Sequence, residues 1–180
     1  MTQLKTNISG LTLRYPDPTF APQLASLIDE NRTFLRQWLP WLDFSTRESD
    51  SQRFLTDCLN GINNGTQCPM ALYLHEELIG MAGFNIINAS NHSAEIGYWL
   101  SKEHCGHGYM TEGVRAVIQH GFQEYKLNRI VIKAATLNHH SRAIAHRLGF
   151  HHEGTLRQAE MLYSRYHDLE QYSLLHSDWL

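Results

Sequence analysis

The chain is poor in the features that mark several common classes of protein. It has three cysteines in 180 residues, and Cys58, Cys68 and Cys105 are too few and too widely spaced to build a disulfide framework or a zinc motif. Lys and Arg total 15 against 18 Asp and Glu. The basic surplus of a nucleic-acid binder is therefore missing, and no direct nucleic-acid contact is expected. No run approaches the ~18 consecutive apolar residues of a membrane span, and the opening MTQLKTNISG lacks the apolar stretch of a secretory signal. No internal repeat, low-complexity tract or Pro/Gly/Ser-rich linker divides the chain. These absences predict one reduced, cytoplasmic domain over residues 1–180, away from the membrane.

What is present suits a packed core. Hydrophobic residues make up 42% of the chain, an ordinary value for a globular domain. The 12 histidines invite a metal hypothesis. His104 and His107, His139 and His140, and His151 and His152 lie close in sequence. No His-Glu-x-x-His helix occurs, and no nearby Cys or acidic residue completes a set. Surface histidines are the better reading, and no metal is expected.

Alternation of Leu11 to Tyr15 predicts a half-buried strand that stops before Pro16. Asp17 and Pro18 then open a helix carrying Leu24, Leu27 and Ile28. The segment NRTFLRQWLPWLDF follows, and the helical spacing of Phe34, Leu35, Trp38 and Leu42 points to core packing. A pocket wall or dimer surface is the alternative to that leading reading, because aromatics also dominate binding sites, so a homodimer stays open. Ser49 or Asp50 caps a further helix through Leu59, ending near Gly61. Cys68 to Leu74 and Leu78 to Ile87 read as a hairpin turning through His75-Glu76-Glu77.

A third strand, Ala94 to Leu100, alternates so that Ala94, Ile96, Tyr98 and Leu100 share one face. Its Gly97 marks a bulge or a close backbone approach. A helix with Met110, Val114, Val117, Ile118 and Phe122 on one stripe comes next. Arg129 to Thr136 is a β-branched, central strand. Asn138 to Leu148 is a short helix stopped by Gly149, and Phe150 begins a closing pair of strands. Such an order implies an α/β or α+β domain on a mixed sheet.

The stretch Cys105-Gly106-His107-Gly108-Tyr109-Met110-Thr111 lies between a strand and a helix. Amides at a helix start have no internal partner, and the helix dipole favours negative charge there. Glycine lets a phosphate approach without a Cβ in the way. A plain strand-to-helix turn explains the fragment equally well by itself. A dinucleotide fold lacks its third glycine here, and a P-loop lacks its Lys-Ser/Thr pair.

Four segments occur in one order with short spacings: AEIGYWL, GHGYMTEGVRAVI, LNRIVIKAATLNHHSRAIAHRLGF and EGTLRQAEML. Together they resemble the GNAT superfamily of acyl-CoA-dependent N-acyltransferases, and within it the ribosomal-protein serine/alanine N-terminal acetyltransferase branch. The resemblance covers nearly the whole chain and is strongest from Ala94 to Leu162. It implies a mixed, mostly antiparallel sheet with two splayed central strands and flanking helices, and acetyl-CoA as cosubstrate. It also implies a primary-amine acceptor, most simply a protein N-terminus.

The family's phosphate turn has the form Gln/Arg-x-x-Gly-x-Gly/Ala. Cys105 stands at the Gln/Arg place, Gly108 at the central glycine and Met110 at the last small position, so both ends depart from the pattern. By the resemblance, Cys105, Gly106, His107, Gly108, Tyr109, Met110 and Thr111 hold the pyrophosphate through main-chain amides. Tyr98, Trp99 and Leu100 should offer backbone groups to the pantetheine arm, with a strand amide near Trp99 or Leu100 polarising the thioester carbonyl. Asn138 and Ser141 match the branch's Asn-x-x-Ser. Helix capping explains Asn138 too, but Ser141 less well. Ser141 fits the branch's leaving-group acid.

Acetyl transfer to an amine needs the amine neutral. An α-amine of pKa near 8 is ~10% neutral at pH 7, whereas a lysine near 10.4 is below ~0.1% neutral. A modest base therefore suffices for an N-terminus. Glu160 is the first candidate base and Glu95 the second, and either could instead be a surface strand residue or an ion-pair partner. A small-amine acceptor (an antibiotic or a polyamine) and a non-catalytic acyl-CoA-binding module are the alternative functions.

Overall fold

The computed structural model describes residues 3–179. The chain opens with two short antiparallel strands, β1 (Gln3–Lys5) and β2 (Leu11–Arg14). In β2 the alternation places Leu11 and Leu13 in the core, as the sequence predicts, whereas three-residue β1 carries no pattern long enough to read. The Asp17 carboxylate accepts from the Thr19 amide at 2.8 Å and starts a short 3-10 turn. That turn leads into α1 (Ala21–Leu35), which buries Leu24, Leu27, Ile28 and Leu35.

The helix stops at Leu35, and this corrects the expectation that Trp38 continues its core stripe. Pro40 lacks an amide hydrogen, and the residue before it, Leu39, is extended (φ −122, ψ 96). Leu42 is fully buried, but Phe34 and Trp38 are only partly so and Phe44 is 81% exposed.

Helix α2 (Glu48–Asn63) begins just ahead of the predicted cap. Asp50 sits in its first turn and accepts from the amides of Thr46 and Arg47, so it caps the helix from inside. Strands β3 (Cys68–Leu74) and β4 (Glu77–Asn88) form the expected hairpin, turning on His75 and Glu76. There follow β5 (Ser93–Leu100), α3 (Tyr109–Gln123), β6 (Arg129–Ala135), α4 (His139–Arg147), β7 (His151–Leu162) and β8 (Arg165–Leu175).

All eight strands belong to one sheet in the order β1-β2-β3-β4-β5-β6-β8-β7. Neighbours are antiparallel except β5 and β6. Helices cover both faces, so β3 (CPMALYL) is buried on both sides and shows no polar alternation. Ala71 and Tyr73 join Leu78 and Met81 in the core under α1 and α2. Met70 and Leu72 point the other way, into the core shared with α3 and α4.

The parallel pair is where the sheet opens. Pairing of β5 with β6 runs from Ser93–Arg129 to Ile96–Ile132 and stops. Beyond it, β5 stays bonded to β4 as far as Leu100, and β6 stays bonded to β8 as far as Ala135. The two strands diverge as expected.

Candidate active site

A cleft of about 750 Å³ occupies the split. Leu24 of α1 and Phe54 of α2 line it on one face of the sheet, and Asn138, the cap of α4, and Ser141, in its first turn, line it on the other. It therefore passes through the sheet between β5 and β6.

The predicted residues fall into two groups. Glu95, Tyr98, Trp99, Asn138, Ser141 and Glu160 all border the cleft. Leu100 and Cys105 to Thr111 do not; Leu100 is buried at the end of β5, and the glycine turn lies farther along the chain, before α3.

At the split, the Tyr98 hydroxyl donates to the main-chain carbonyl of Ser141 at 2.9 Å. Ser141 Oγ donates to the Tyr98 oxygen at 3.0 Å, and the Ser141 amide donates to Asn138 Oδ1 at 3.1 Å. Asn138 is thus the cap of α4, as its residue type suggests. The Ser141 hydroxyl is not a cap. Burial pushes the Tyr98 phenol up to about 12, so it keeps its proton throughout the neutral range.

The two carboxylates have different surroundings. Glu95 Oε2 lies 2.7 Å from Lys133 Nζ, an ion pair that links β5 to β6 within the cleft wall. The ion-pair reading of Glu95 holds, and its carboxylate is engaged. Among the described residues the Glu160 carboxylate makes no hydrogen bond or ion pair, although its backbone lies opposite His167 in the β7–β8 ladder. Burial pushes its carboxyl up from the usual range, and His167, across the β7–β8 pair, pulls it the other way to a lesser extent.

Gly97 is explained by a close approach. A Cβ there would lie 2.0 Å from Asn85 Nδ2, and the ladder irregularity is in the neighbouring strand, at Asn85 between Phe84 and Ile86. Asn85 thus reaches the cleft over a strand with no side chain in its way.

The aromatic wall is what the sequence reading underrated. Trp38, Leu39, Trp41 and Phe44 border the cleft, and the Trp41 ring lies 6.2 Å from that of Trp99. The available signal was Pro40 in the midst of the aromatics, which ends the helix and frees those rings from the core. The segment is fastened to the β7–β8 hairpin, because the Tyr163 hydroxyl donates to the Leu39 carbonyl at 3.2 Å. The Arg36 guanidinium also lies over the Tyr163 ring at 3.8 Å.

In the glycine turn, Gly106 (φ +85) and Gly108 (φ +82) are left-handed, and a Cβ on either would meet nothing within 4 Å. The first intrahelical bond of α3 runs from the Glu112 amide to the Gly108 carbonyl. The amides of Tyr109, Met110 and Thr111 therefore precede the helical ladder and point out of its end. An open surface, free amides and the positive end of the dipole fit a pyrophosphate, so the chain's own residues suit the coenzyme. Cys105, the departure from the family pattern, is tied locally, its Sγ donating to the Ser101 carbonyl at 3.4 Å.

One expectation about the histidines is corrected. His104 does have acidic neighbours, because the hairpin brings Glu77 beside Glu103, and the three ligand atoms lie within 4.8 Å of one another. Both glutamates are exposed, and His104 Nδ1 already pairs with Ser101 Oγ at 2.7 Å. No helix among the described residues is long and apolar enough to cross a membrane.

Comparison with known proteins agrees with this geometry. The acetyltransferase (GNAT) domain family matches residues 10–151. The chain is 38% identical to YdaF of Bacillus subtilis (strain 168) over 94% of its own length and 93% of the relative's. It is 37% identical to the ribosomal-protein-serine acetyltransferase of Escherichia coli (strain K12), covering 83% and 84%. A ribosomal L7/L12 alpha-N-protein acetyltransferase in complex with coenzyme A superposes with a TM-score of 0.94 at 29% identity, covering 99% of each chain. The microcin C7 self-immunity acetyltransferase MccE, in complex with acetyl-CoA and AMP, superposes with a TM-score of 0.89 at 31% identity, covering 93% of each. Through its motifs, its split sheet and these matches, the chain belongs to the GNAT family of acetyl-CoA-dependent N-acetyltransferases.

Proposed function

We propose that the enzyme acetylates the N-terminal α-amine of a protein, a ribosomal protein being the leading candidate, by direct transfer. The observation that carries the reading is the cleft through the split sheet. It has Ser141 on the α4 side and an unpaired, partly buried Glu160 on the β7 wall. Such a passage lets a donor and an acceptor arrive from opposite faces and meet without a relay through the protein. The names of the relatives that modify ribosomal proteins support the acceptor class.

Acetyl-CoA supplies the acetyl group as an activated thioester. The turn at Gly108 and the amides of Tyr109, Met110 and Thr111 are assigned to its phosphates, and the diverging end of β5, Tyr98 to Leu100, to its pantetheine arm. Glu160 takes a proton from the incoming ammonium, directly or through water, so that the nitrogen lone pair is free to attack the acetyl carbonyl carbon. The C–S bond breaks as the C–N bond forms. Attack leaves a second proton on the new amide nitrogen. Ser141 Oγ gives its own proton to the departing sulfur and is recharged, through water, by that nitrogen proton. The products are the amide, the coenzyme A thiol and the one proton held by Glu160, while Tyr98 keeps its proton and orients Ser141 Oγ. Because an α-amine is partly neutral at pH 7, a carboxylate base is sufficient.

The second reading is a small-molecule amine, favoured by the likeness to MccE. An acceptor screen decides between them. Peptides beginning Ser, Ala, Thr or Met should be turned over at least about ten-fold more efficiently than polyamines or free amino acids. The reverse order would overturn the protein-N-terminus reading, and turnover of no amine at all would favour a non-catalytic acyl-CoA-binding module.

A further inference from the structure

A second cavity lies on the face of the sheet covered by α3, away from the acetyl-transfer cleft. It measures about 290 Å³ and is lined by Tyr15, His120, Glu124 and Tyr125. We propose that these four residues form an aromatic cage for the head group of a small alkylammonium ion, a binding site separate from acetyl transfer.

The argument begins with the rings. His120 lies on α3, Tyr15 follows β2, and Tyr125 lies just beyond the end of α3. The Tyr15 and His120 planes are inclined at 75° with centroids 6.3 Å apart, and the His120 and Tyr125 planes at 85° with centroids 5.4 Å apart. Each tyrosine ring is steeply inclined to the one imidazole, and all three rings border the cavity. The arrangement is held from behind. Tyr125 meets the fully buried Phe84 edge to face at 6.0 Å, and the Tyr15 hydroxyl and His120 Nε2 are hydrogen-bonded at 3.1 Å.

Chemistry then selects the occupant. Burial pushes the His120 pKa below its usual value, so near neutral pH the imidazole is an uncharged aromatic face that does not repel a cation. Glu124 supplies the only carboxylate in the lining and is exposed at its rim, while Lys126, close by in sequence, does not line the cavity. Ring faces attract a cation through their quadrupole, most strongly a diffuse one that gives up little hydration. A primary ammonium carries three donors that need acceptors, and one rim carboxylate serves it poorly when the Tyr15 phenol is engaged with His120 and the Tyr125 phenol with Cys68. A quaternary or highly methylated ammonium needs none.

The test uses the intact protein with carbon-13-labelled aromatic side chains. Choline chloride, its uncharged carbon analogue 3,3-dimethylbutan-1-ol, and sodium chloride at matched ionic strength are titrated while the His120 and Tyr125 ring signals are followed. Choline should give saturable shifts with an affinity at least about ten-fold above that of the neutral analogue. Glu124→Gln, an exposed and fold-neutral change, should weaken choline about three-fold. Tyr15→Leu should abolish saturation, with the remaining ring signals showing that the fold is kept. A peptide carrying trimethyl-lysine, compared with free choline, separates a protein-borne ammonium from a free one, and saturation by either supports the site. Equal responses to choline and its neutral analogue, or no saturable response to choline and the peptide, would overturn the proposal.

Discussion

Tyr98 and Ser141 are joined twice across the gap in the sheet, by a 2.9 Å bond from the phenol to the Ser141 carbonyl and a 3.0 Å bond from Ser141 Oγ back to the phenol. This link joins β5 to α4 just beyond the point where main-chain pairing between β5 and β6 ends. It fixes the Ser141 hydroxyl on the cleft wall and gives it a neighbour that retains its own proton. Ser141→Ala should lower turnover at least about ten-fold with acetyl-CoA affinity within about two-fold, the signature of a group needed mainly in the transition state. Tyr98→Phe should produce a similar defect, and the double variant should be no worse than the more damaging single one. Affinity falling in step with turnover would make Ser141 a binding residue; additive effects would show that the two act separately.

The left-handed backbone at Gly108 makes a second prediction. Any other residue there is strained by about 1 kcal/mol, and a negative side chain would also compete for the exposed amides at the start of α3. Gly108→Ala should weaken acetyl-CoA modestly, and Gly108→Glu should weaken it by a further ten-fold or more, both measured by calorimetry. Unchanged affinity in the glutamate variant would place the coenzyme's phosphates elsewhere.

How much of this was legible in the chain depended on whether the determinant was local. The stripe of Met110, Val114, Val117 and Phe122 and the alternation of Ala94, Ile96 and Leu100 report their own burial, and the structure buries all of them. The cap at Asn138 and the stop at Gly149, which is left-handed, are equally local. The pair of Glu95 with Lys133 is not. Its partners are far apart in sequence and meet only because β5 lies parallel to β6. The aromatic wall was hidden for another reason. Trp38 keeps helical spacing with Phe34 and Leu35, but the single residue Pro40 ends the helix and turns that spacing into a cleft lining.

The edge of the sheet carries a pH-dependent contact. Glu153 accepts from Arg129 Nη1 at 2.7 Å and from Gln171 Nε2 at 2.9 Å. The hydrogen bond from Arg129, ahead of the lesser help from Gln171 and Ser173, pulls the Glu153 carboxyl down to about 2. Its pKa in the unfolded chain is near 4.3, so the folded value is depressed. The stabilisation is therefore fully present well above ~4.3 and is lost as pH falls through about 2. Glu153→Gln should lower the melting temperature by about 2–4 °C at pH 7, as for a loss of ~1 kcal/mol in a protein of this size. The gap from the parent should close as pH approaches 2. A gap that stays constant over that range would show that packing, not charge, is responsible.

Glu160 gives the sharpest test of the proposed chemistry. Its carboxyl is raised by burial and only partly compensated by His167. The basic form therefore appears at higher pH than for an ordinary glutamate, and the group serves as a base only above its own pKa. At neutral pH the acceptor's α-amine is still mostly protonated, since its pKa lies near 8. A base is thus most useful there. Glu160→Gln keeps the shape and removes the proton acceptor, so turnover should fall most near pH 7, by about ten-fold or more. The defect should shrink past about pH 8, where the amine sheds its proton unaided. A defect of constant size from pH 6.5 to 9 would assign Glu160 to acceptor binding or to structure. Full activity across that range would leave deprotonation to water, because the other candidate, Glu95, is held at 2.7 Å by Lys133 and is not free to take the proton without breaking that pair.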